Sequence, residues 1–446
     1  MSGETKLTAR SALSVLRNAP YRRYIIGSAI SDTGTWMQIM AQGYVMSTLT
    51  TKAVWLGMAN LAAGLPMLAL TMVGGSAADK YDKRKILLIT QFVQIALAVG
   101  IGYLVWKGEI AIWHVLTFAA ILGVSNSFEM PTLSALIPEL VKREQIPSGI
   151  AIDRSVFHGS RVVGPTIGGI LISAWGTASA FFANAISFVA LIVALLSLPP
   201  RAKGSAEEEQ KRTTGFKDGF RFVANDKPSL AMIMLIATQS VCIFPIITVM
   251  MPLYVRMVFG LGRADRLGFL LGASAVGSLV GSIFLIGLAR EKRVPLMILC
   301  ALGVTGAILG LSLGPTFYVA TALLVVNSLG LATNFGLAST IVQERAPDYL
   351  RGRVSAVFML SFVGLMPIAG LGVTSLSDFI GMKTALAIAA IIYGIITILV
   401  LARVREECSQ PGITETHLTT PASPAAATVQ RIFKFQAPKA AATFGD

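Results

Sequence analysis

The sequence predicts an all-α membrane protein: twelve transmembrane helices in two six-helix halves. Three observations carry this. Of 446 residues, 54% are hydrophobic and 13% are charged, where a soluble chain carries about 25% charged residues. Twelve apolar runs reach the roughly 20 residues that span a bilayer. All but six of the 37 Lys and Arg fall on one side of the resulting topology, the exceptions being Lys52, Lys107, Arg256, Arg263, Arg266 and Lys383. That asymmetry places the basic side, with both termini, in the cytoplasm.

A basic segment, 1–22, precedes the first run. Spans follow at 23–48, 54–77, 86–106, 111–137, 155–174 and 178–199, an N-terminal half over 23–199. Pro199-Pro200 closes the sixth, because proline cannot continue a helix. Residues 200–229 contain Glu207-Glu208-Glu209-Gln210-Lys211-Arg212 and read as a cytoplasmic linker, with a short surface helix presenting Phe216, Phe220 and Val223 on one face. The C-terminal half, 230–403, carries spans at 230–255, 267–289, 294–313, 316–342, 354–377 and 383–402. The Thr-, Pro- and Ala-rich tail 404–446 lacks apolar periodicity and reads as disordered. The halves repeat weakly at an offset of about 208 residues: Lys83-Arg84-Lys85 matches Glu291-Lys292-Arg293, and Asn126 matches Asn334. No alternating ten-residue segments of a membrane β-barrel occur.

The net charge of +14 follows the topology, which argues against a nucleic-acid partner. Cys242, Cys300 and Cys408 show no paired spacing, and the three histidines show no metal-ligand spacing. No phosphate-binding Gly-rich loop with Lys-Ser/Thr appears, so neither ATP use nor an enzyme constellation is expected, and no cofactor.

Charge is dense in Gly74-Gly75-Ser76-Ala77-Ala78-Asp79-Lys80-Tyr81-Asp82-Lys83-Arg84-Lys85, between two apolar runs. Its glycines are expected to end the helix and turn the chain. Ser160-Arg161-Val162-Val163-Gly164-Pro165-Thr166-Ile167-Gly168-Gly169 puts a proline and close-packing glycines in the fifth span. Arg345-Ala346-Pro347-Asp348-Tyr349-Leu350-Arg351-Gly352-Arg353-Val354 precedes the eleventh. The first stretch resembles the loop signature of the major facilitator superfamily, the second its antiporter motif, and the third, with Trp36-Met37-Gln38 and Asp153-Arg154-Ser155, its enterobactin-exporter and macrolide-efflux branch. The resemblance covers residues 15–402. It implies a cytoplasmic conformational gate at Gly75, Asp79, Lys83, Arg84, Arg351 and Arg353, the Asp79 position pairing with neighbouring helix ends in the outward-facing state. It implies a helix hinge at Arg161, Gly164, Pro165, Gly168 and Gly169, and export.

Ionisable groups inside a membrane point to function. Asp32, mid-way along the first span, and Glu129 in the fourth are candidates for proton coupling or substrate binding. Gln38, Gln42, Gln239 and Asn334 supply uncharged hydrogen-bonding groups, to the cavity or to neighbouring helices. Trp36, Tyr44, Phe244 and Tyr254 are candidate contacts for an aromatic substrate. The reading is a monomeric, proton-coupled exporter of an amphipathic small molecule, a siderophore or macrolide-like drug, in a bacterial inner membrane. A transporter of iron or lysophospholipid, and a non-transporting sensor or scaffold, are the alternatives.

Overall fold

The computed structural model describes residues 13–198, 216–260, 263–283, 288–347 and 349–409. Twelve helical rods run antiparallel through one bundle: α1 Ala19–Leu49, α2 Val54–Lys80, α3 Lys83–Lys107, α4 Ile112–Leu140, α5 Ile146–Trp175, α6 Ala178–Leu196, then α8 Lys227–Phe259, α9 Ala264–Ile283, α10 Arg290–Ser312, α11 Phe317–Arg345, α12 Arg351–Ile380 and α13 Met382–Ser409. A short helix, α7 Phe216–Asn225, lies between the halves in sequence. Because twelve rods alternate in direction, α1 begins and α13 ends on one face, here the terminal face.

Among the described residues nine rods are long and apolar enough to cross a membrane by length and composition. The other three, α1, α4 and α5, carry Asp32, Glu129, and Asp153 with Arg161. The outward surface is apolar, with Ile89, Phe92, Ile186, Leu299 and Ile395 exposed. Trp106, Trp113, Trp175 and Tyr318 are exposed at helix ends on the opposite face, the headgroup level where such rings settle.

The same packing recurs in each half. α1 lies against α5 and α6, and α2 against α4; α8 lies against α12 and α13, and α9 against α11. The ion pair Lys83–Glu139 (2.8 Å) ties α3 to α4, and Arg293–Glu344 (3.0 Å) ties α10 to α11 in the equivalent place. The Asn18 side-chain amide donates to the Leu140 carbonyl, where its counterpart Asp226 pairs with Arg345.

Helices run further than the apolar runs. α5 begins at Ile146, not near 155, so Asp153 and Arg154 belong to it. α13 continues to Ser409, which makes 404–409 helical; the rest of the tail lies outside the described residues. Backbone hydrogen bonds continue through the headgroup zone, where charged side chains are solvated, so hydropathy underestimates helix length. The glycines of the 74–85 stretch do not end a helix. α2 continues to Lys80, only Tyr81 and Asp82 connect it to α3, and Asp82 caps α3 by accepting from the Arg84 amide (2.9 Å). Gly74 instead lets α2 approach the backbone of α4 at Ser127. On α7 the buried positions are Gly219 and Val223, with Phe222 half-buried, whereas Phe220 points outward.

Asp226 starts α8. Its carboxylate accepts from the Ser229 amide (3.1 Å) and from Arg345 Nε and Nη2 (2.9 and 2.8 Å). Burial alone pushes this carboxyl up, but the Arg345 and Ser229 hydrogen bonds outweigh burial and hold it below the ordinary carboxylate value. Asp226→Ala removes the carboxylate that accepts from Arg345 and caps α8 at Ser229, so a loss of about 2 kcal/mol is expected, read as a lowered thermal midpoint of the purified protein. A carboxyl depressed in the folded state stabilises above its unfolded value, about 3.9, and that stability is lost as pH falls through the folded value. The penalty is therefore complete at pH 7 and shrinks only below about pH 4. An equal penalty at pH 7 and pH 3 contradicts the assignment.

A central cavity open to the terminal face

The halves meet along two crossings, α5 on α9 and α2 on α12. Glycine makes both close. Gly169 faces the Ala264 carbonyl, Gly268 faces Pro165, and Gly57 faces Gly370 and Thr374. All these positions lie in the part of each rod near the opposite face. In the parts nearer the terminal face the glycine approaches stay inside one half: Gly74 meets Ser127, Gly277 meets Val325 and Gly281 meets Leu329.

Polar contacts strengthen the seal on the opposite face. Asp378 of α12 accepts from the amides of Ala53 (2.7 Å) and Val54 (2.9 Å), at the start of α2. Arg256 of α8 donates to the carbonyls of Ser47 and Thr50 (3.0 Å to Thr50), at the end of α1. The C-terminal half thus places an anion on the positive end of one helix and a cation on the negative end of another. The turn between α1 and α2 is held from both sides, and the space between the halves opens to the terminal face.

Trp36, Ile39 and Met40 of α1, Arg161 and Pro165 of α5, Ile247 and Thr248 of α8, and Leu271 and Ser274 of α9 line a recess of about 450 Å³, mouth included. Both halves contribute walls. π-turns interrupt α8 at Ile246–Met250 and α12 at Leu360–Gly364. Pro252 and Pro367 follow them and cannot donate to the carbonyl four residues earlier, which loosens the helix there. Ser240 ties the two rods by donating to the Phe362 carbonyl (2.6 Å).

Charge concentrates in the N-terminal half. Ser28 donates to Asp32 (3.2 Å) and Tyr24 donates to Asp153 (3.3 Å). Glu129 accepts from Gln91 (2.6 Å) and Gln94 of α3, so it faces the interior of that half. Among the described residues none of these carboxylates forms an ion pair and each of their hydrogen-bond donors is uncharged, while the Arg154 charge acts on Asp153 from the next position on α5. Arg161 lies 5.3 Å from the Trp36 ring centre, and Trp36 meets Phe157 edge-on at 5.6 Å.

The other candidates are dispersed. Gln38 accepts from Asn184 (2.7 Å) inside the N-terminal half; Gln239 donates to the Leu331 carbonyl (3.2 Å), and Asn334 to Tyr393 (3.2 Å). All three are buried between helices, and Gln42 is half-buried outside the lining set. Tyr254 donates to the Leu311 carbonyl, and Phe244 packs on Phe362. Gly164 and Gly168 seat α5 on α1 at Thr33, Trp36 and Met37, and α5 runs unbroken through Pro165. Gly75 faces open space, and Asp79 is exposed with no hydrogen bond or ion pair among the described residues. Arg84 donates to the carbonyls of Leu196 and Leu198 at the end of α6. Arg351 donates to the Gln343 carbonyl, and Arg353 pairs with Asp218 of α7 (2.8 Å).

Asp153, Arg256 and Asp378 escaped the sequence reading. Asp153 fell outside a span begun too late. The other two were legible only as charges at span ends.

The transmembrane secretion effector profile matches residues 10–430. The staphyloferrin A transporter of Staphylococcus aureus is 23% identical, over 80% of this chain and 89% of its own. The multidrug efflux pump Tap of Mycobacterium tuberculosis is 26% identical, over 77% and 84%. A bacterial homologue of the human lysosomal transporter Spinster, solved inward-facing and unoccupied, superposes with a TM-score of 0.66 at 12% identity, over 89% of this chain and 99% of that one. The chain is a multi-pass membrane transporter of the major facilitator superfamily and belongs to its transmembrane secretion effector family.

Proposed function

We propose that this transporter exports an amphipathic small molecule, a siderophore or macrolide-like drug, by alternating access coupled to proton entry. The observation that supports it most is the cavity itself: sealed on the opposite face, open on the terminal face, with the Asp32 carboxylate, in no ion pair, one helical turn from Trp36 in its wall. The positive-inside bias puts the terminal face in the cytoplasm of a bacterial inner membrane. The structure is then the cargo-loading state, and one chain encloses the path.

Asp32 is the first proton carrier in this reading, with Asp153 beside it and Glu129 behind. A carboxylate taken from water without a cation releases its charge most cheaply by binding a proton. Reorientation requires the terminal face to close. Asp79, unpaired here, is then available to the start of α12 near Arg351 and Arg353, while Gly75, Lys83 and Arg84 carry the turn that moves with it. Gly164, Pro165, Gly168 and Gly169 keep α5 close to both α1 and α9 during the swing.

Proton movement in proteoliposomes, driven by a siderophore and macrolide panel, tests the reading. Cargo-driven proton flux is expected in the wild type and to fall at least about tenfold in Asp32→Asn, since Asn cannot exchange a proton. Cargo exchange without a proton gradient is expected to persist. Undiminished proton flux in Asp32→Asn removes Asp32 from coupling, and absence of flux with every cargo sets proton-driven export aside.

A further inference from the structure

Arg161 is the cation of the central cavity. It reaches the recess from α5, stacks over Trp36, and makes no ion pair with any carboxylate among the described residues. A guanidinium held in a membrane bundle without an anion is costly unless a ligand supplies one. Its neighbours extend the pattern. Arg154, His158 and Arg161 stand at i, i+4 and i+7 on α5, the face that also places Pro165 in the recess, and the first two are exposed on the terminal-face side. Arg154 and Arg161 thus set two cations along one face towards Trp36, with the His158 imidazole between them. The facing acids are Asp153, on the same helix, and Asp32, one turn before Trp36 on α1; both are bound to hydroxyls.

The remaining walls describe the rest of the ligand. Ile39, Met40, Ile247 and Leu271 are apolar, Trp36 and Phe157 give aromatic surface, and Thr248 and Ser274 line the other half with hydroxyls bonded to the Phe244 carbonyl and to Ser328. We infer that the cavity selects an amphiphile bearing a carboxylate, its anionic group paired with Arg161 and its planar body against Trp36. A planar guanidinium on an aromatic ring keeps its N–H fork free for bidentate pairing with a carboxylate. Steering by the Arg154 charge raises the concentration of such anions at the mouth. This rests on the cavity being the cargo site. It narrows the cargo to anions, whose exit an inside-negative membrane potential favours.

The test uses two probes of matched shape, 1-naphthoate and 1-naphthylmethylammonium, titrated calorimetrically into the purified full-length protein without any gradient. Wild type is expected to bind the anion at least tenfold more tightly than the cation. Arg161→Gln is expected to weaken naphthoate binding at least tenfold without weakening the cation, and Arg161→Lys to weaken it less. Equal or reversed preference in the wild type overturns the proposal without recourse to a variant, as does naphthoate binding unchanged by Arg161→Gln. Proton flux that persists without anion preference overturns this subsite alone. Anion preference with no flux overturns only the coupling.

Discussion

Gly268→Leu is expected to abolish transport while leaving each six-helix half folded. A β-carbon at Gly268 meets the Pro165 carbonyl oxygen and the backbone of Gly169, about 3.0 Å from the Gly169 Cα. These are backbone atoms of the other half, so no rotamer relieves the clash. One helical turn further, Gly272 sits equally close to Val162 and Thr166. Small residues at this spacing let membrane helices touch along their backbones. Overpacking such a contact costs about 3 kcal/mol, which is more than a hundredfold in the equilibrium holding the opposite face shut. Transport by Gly268→Leu in proteoliposomes is expected below about 1% of wild type, with a cysteine on the opposite-face segment 47–53 newly open to a water-soluble thiol reagent. Gly159→Leu, also in the bundle, is the control: Gly159 has no atom within 4 Å of its would-be Cβ. Transport by Gly268→Leu within about threefold of wild type sinks the argument that this crossing seals the cavity.

The second large effect concerns the clamp on the turn between α1 and α2. Removing Asp378 leaves the first amides of α2 without their acceptor, and removing Arg256 leaves the last carbonyls of α1 without their donor. Asp378 is exposed and Arg256 half-buried, so solvent screening reduces both contributions. Together they stabilise the closed opposite face by about 1 to 2 kcal/mol, roughly a five- to thirtyfold bias. The double variant Arg256→Ala, Asp378→Ala is expected to move spin-label distances across the opposite face towards the open population, and single variants to move them part of the way. Asp378→Asn keeps only one of the two acceptor oxygens and should lie between Asp378→Ala and the wild type. Unmoved distances in the double variant mean that the glycine crossings alone hold this face.

The two effects differ in how visible they were beforehand. Gly164, Pro165, Gly168 and Gly169 stood out in the sequence as a packing motif, but their partners did not, because Ala264, Gly268 and Gly272 belong to a helix about a hundred residues away. Arg256 was conspicuous only as one of six basic residues on the less basic side. In the structure it belongs there because it serves a helix C-terminus of the other half.

Among the polar candidates the division follows burial. Gln38, Gln239 and Asn334 were equally compatible with cavity and helix-to-helix roles. The fold turns all three to neighbouring helices, and leaves Arg161 in the recess with Asp32 one helical turn from Trp36. Asp153 stood in the sequence only as part of a motif, because the fifth span was drawn from its apolar run, and the helix begins nine residues earlier at Ile146.

What the sequence determined by itself is what acts locally. Apolar length set the number of spans, basic residues at their ends set the expected orientation, and the repeated charges near 83 and 293 foretold two halves with the same packing. Those signals survive because each span meets the bilayer on its own terms. The tertiary structure decided the rotation of every helix, and with it which polar groups pair, which meet the cavity and which face is shut. In a bundle surrounded by hydrocarbon the outer and inner faces of a helix are both apolar, so periodicity cannot tell one from the other. Only packing against the other helices assigns Arg161 to Trp36 and Gln38 to Asn184.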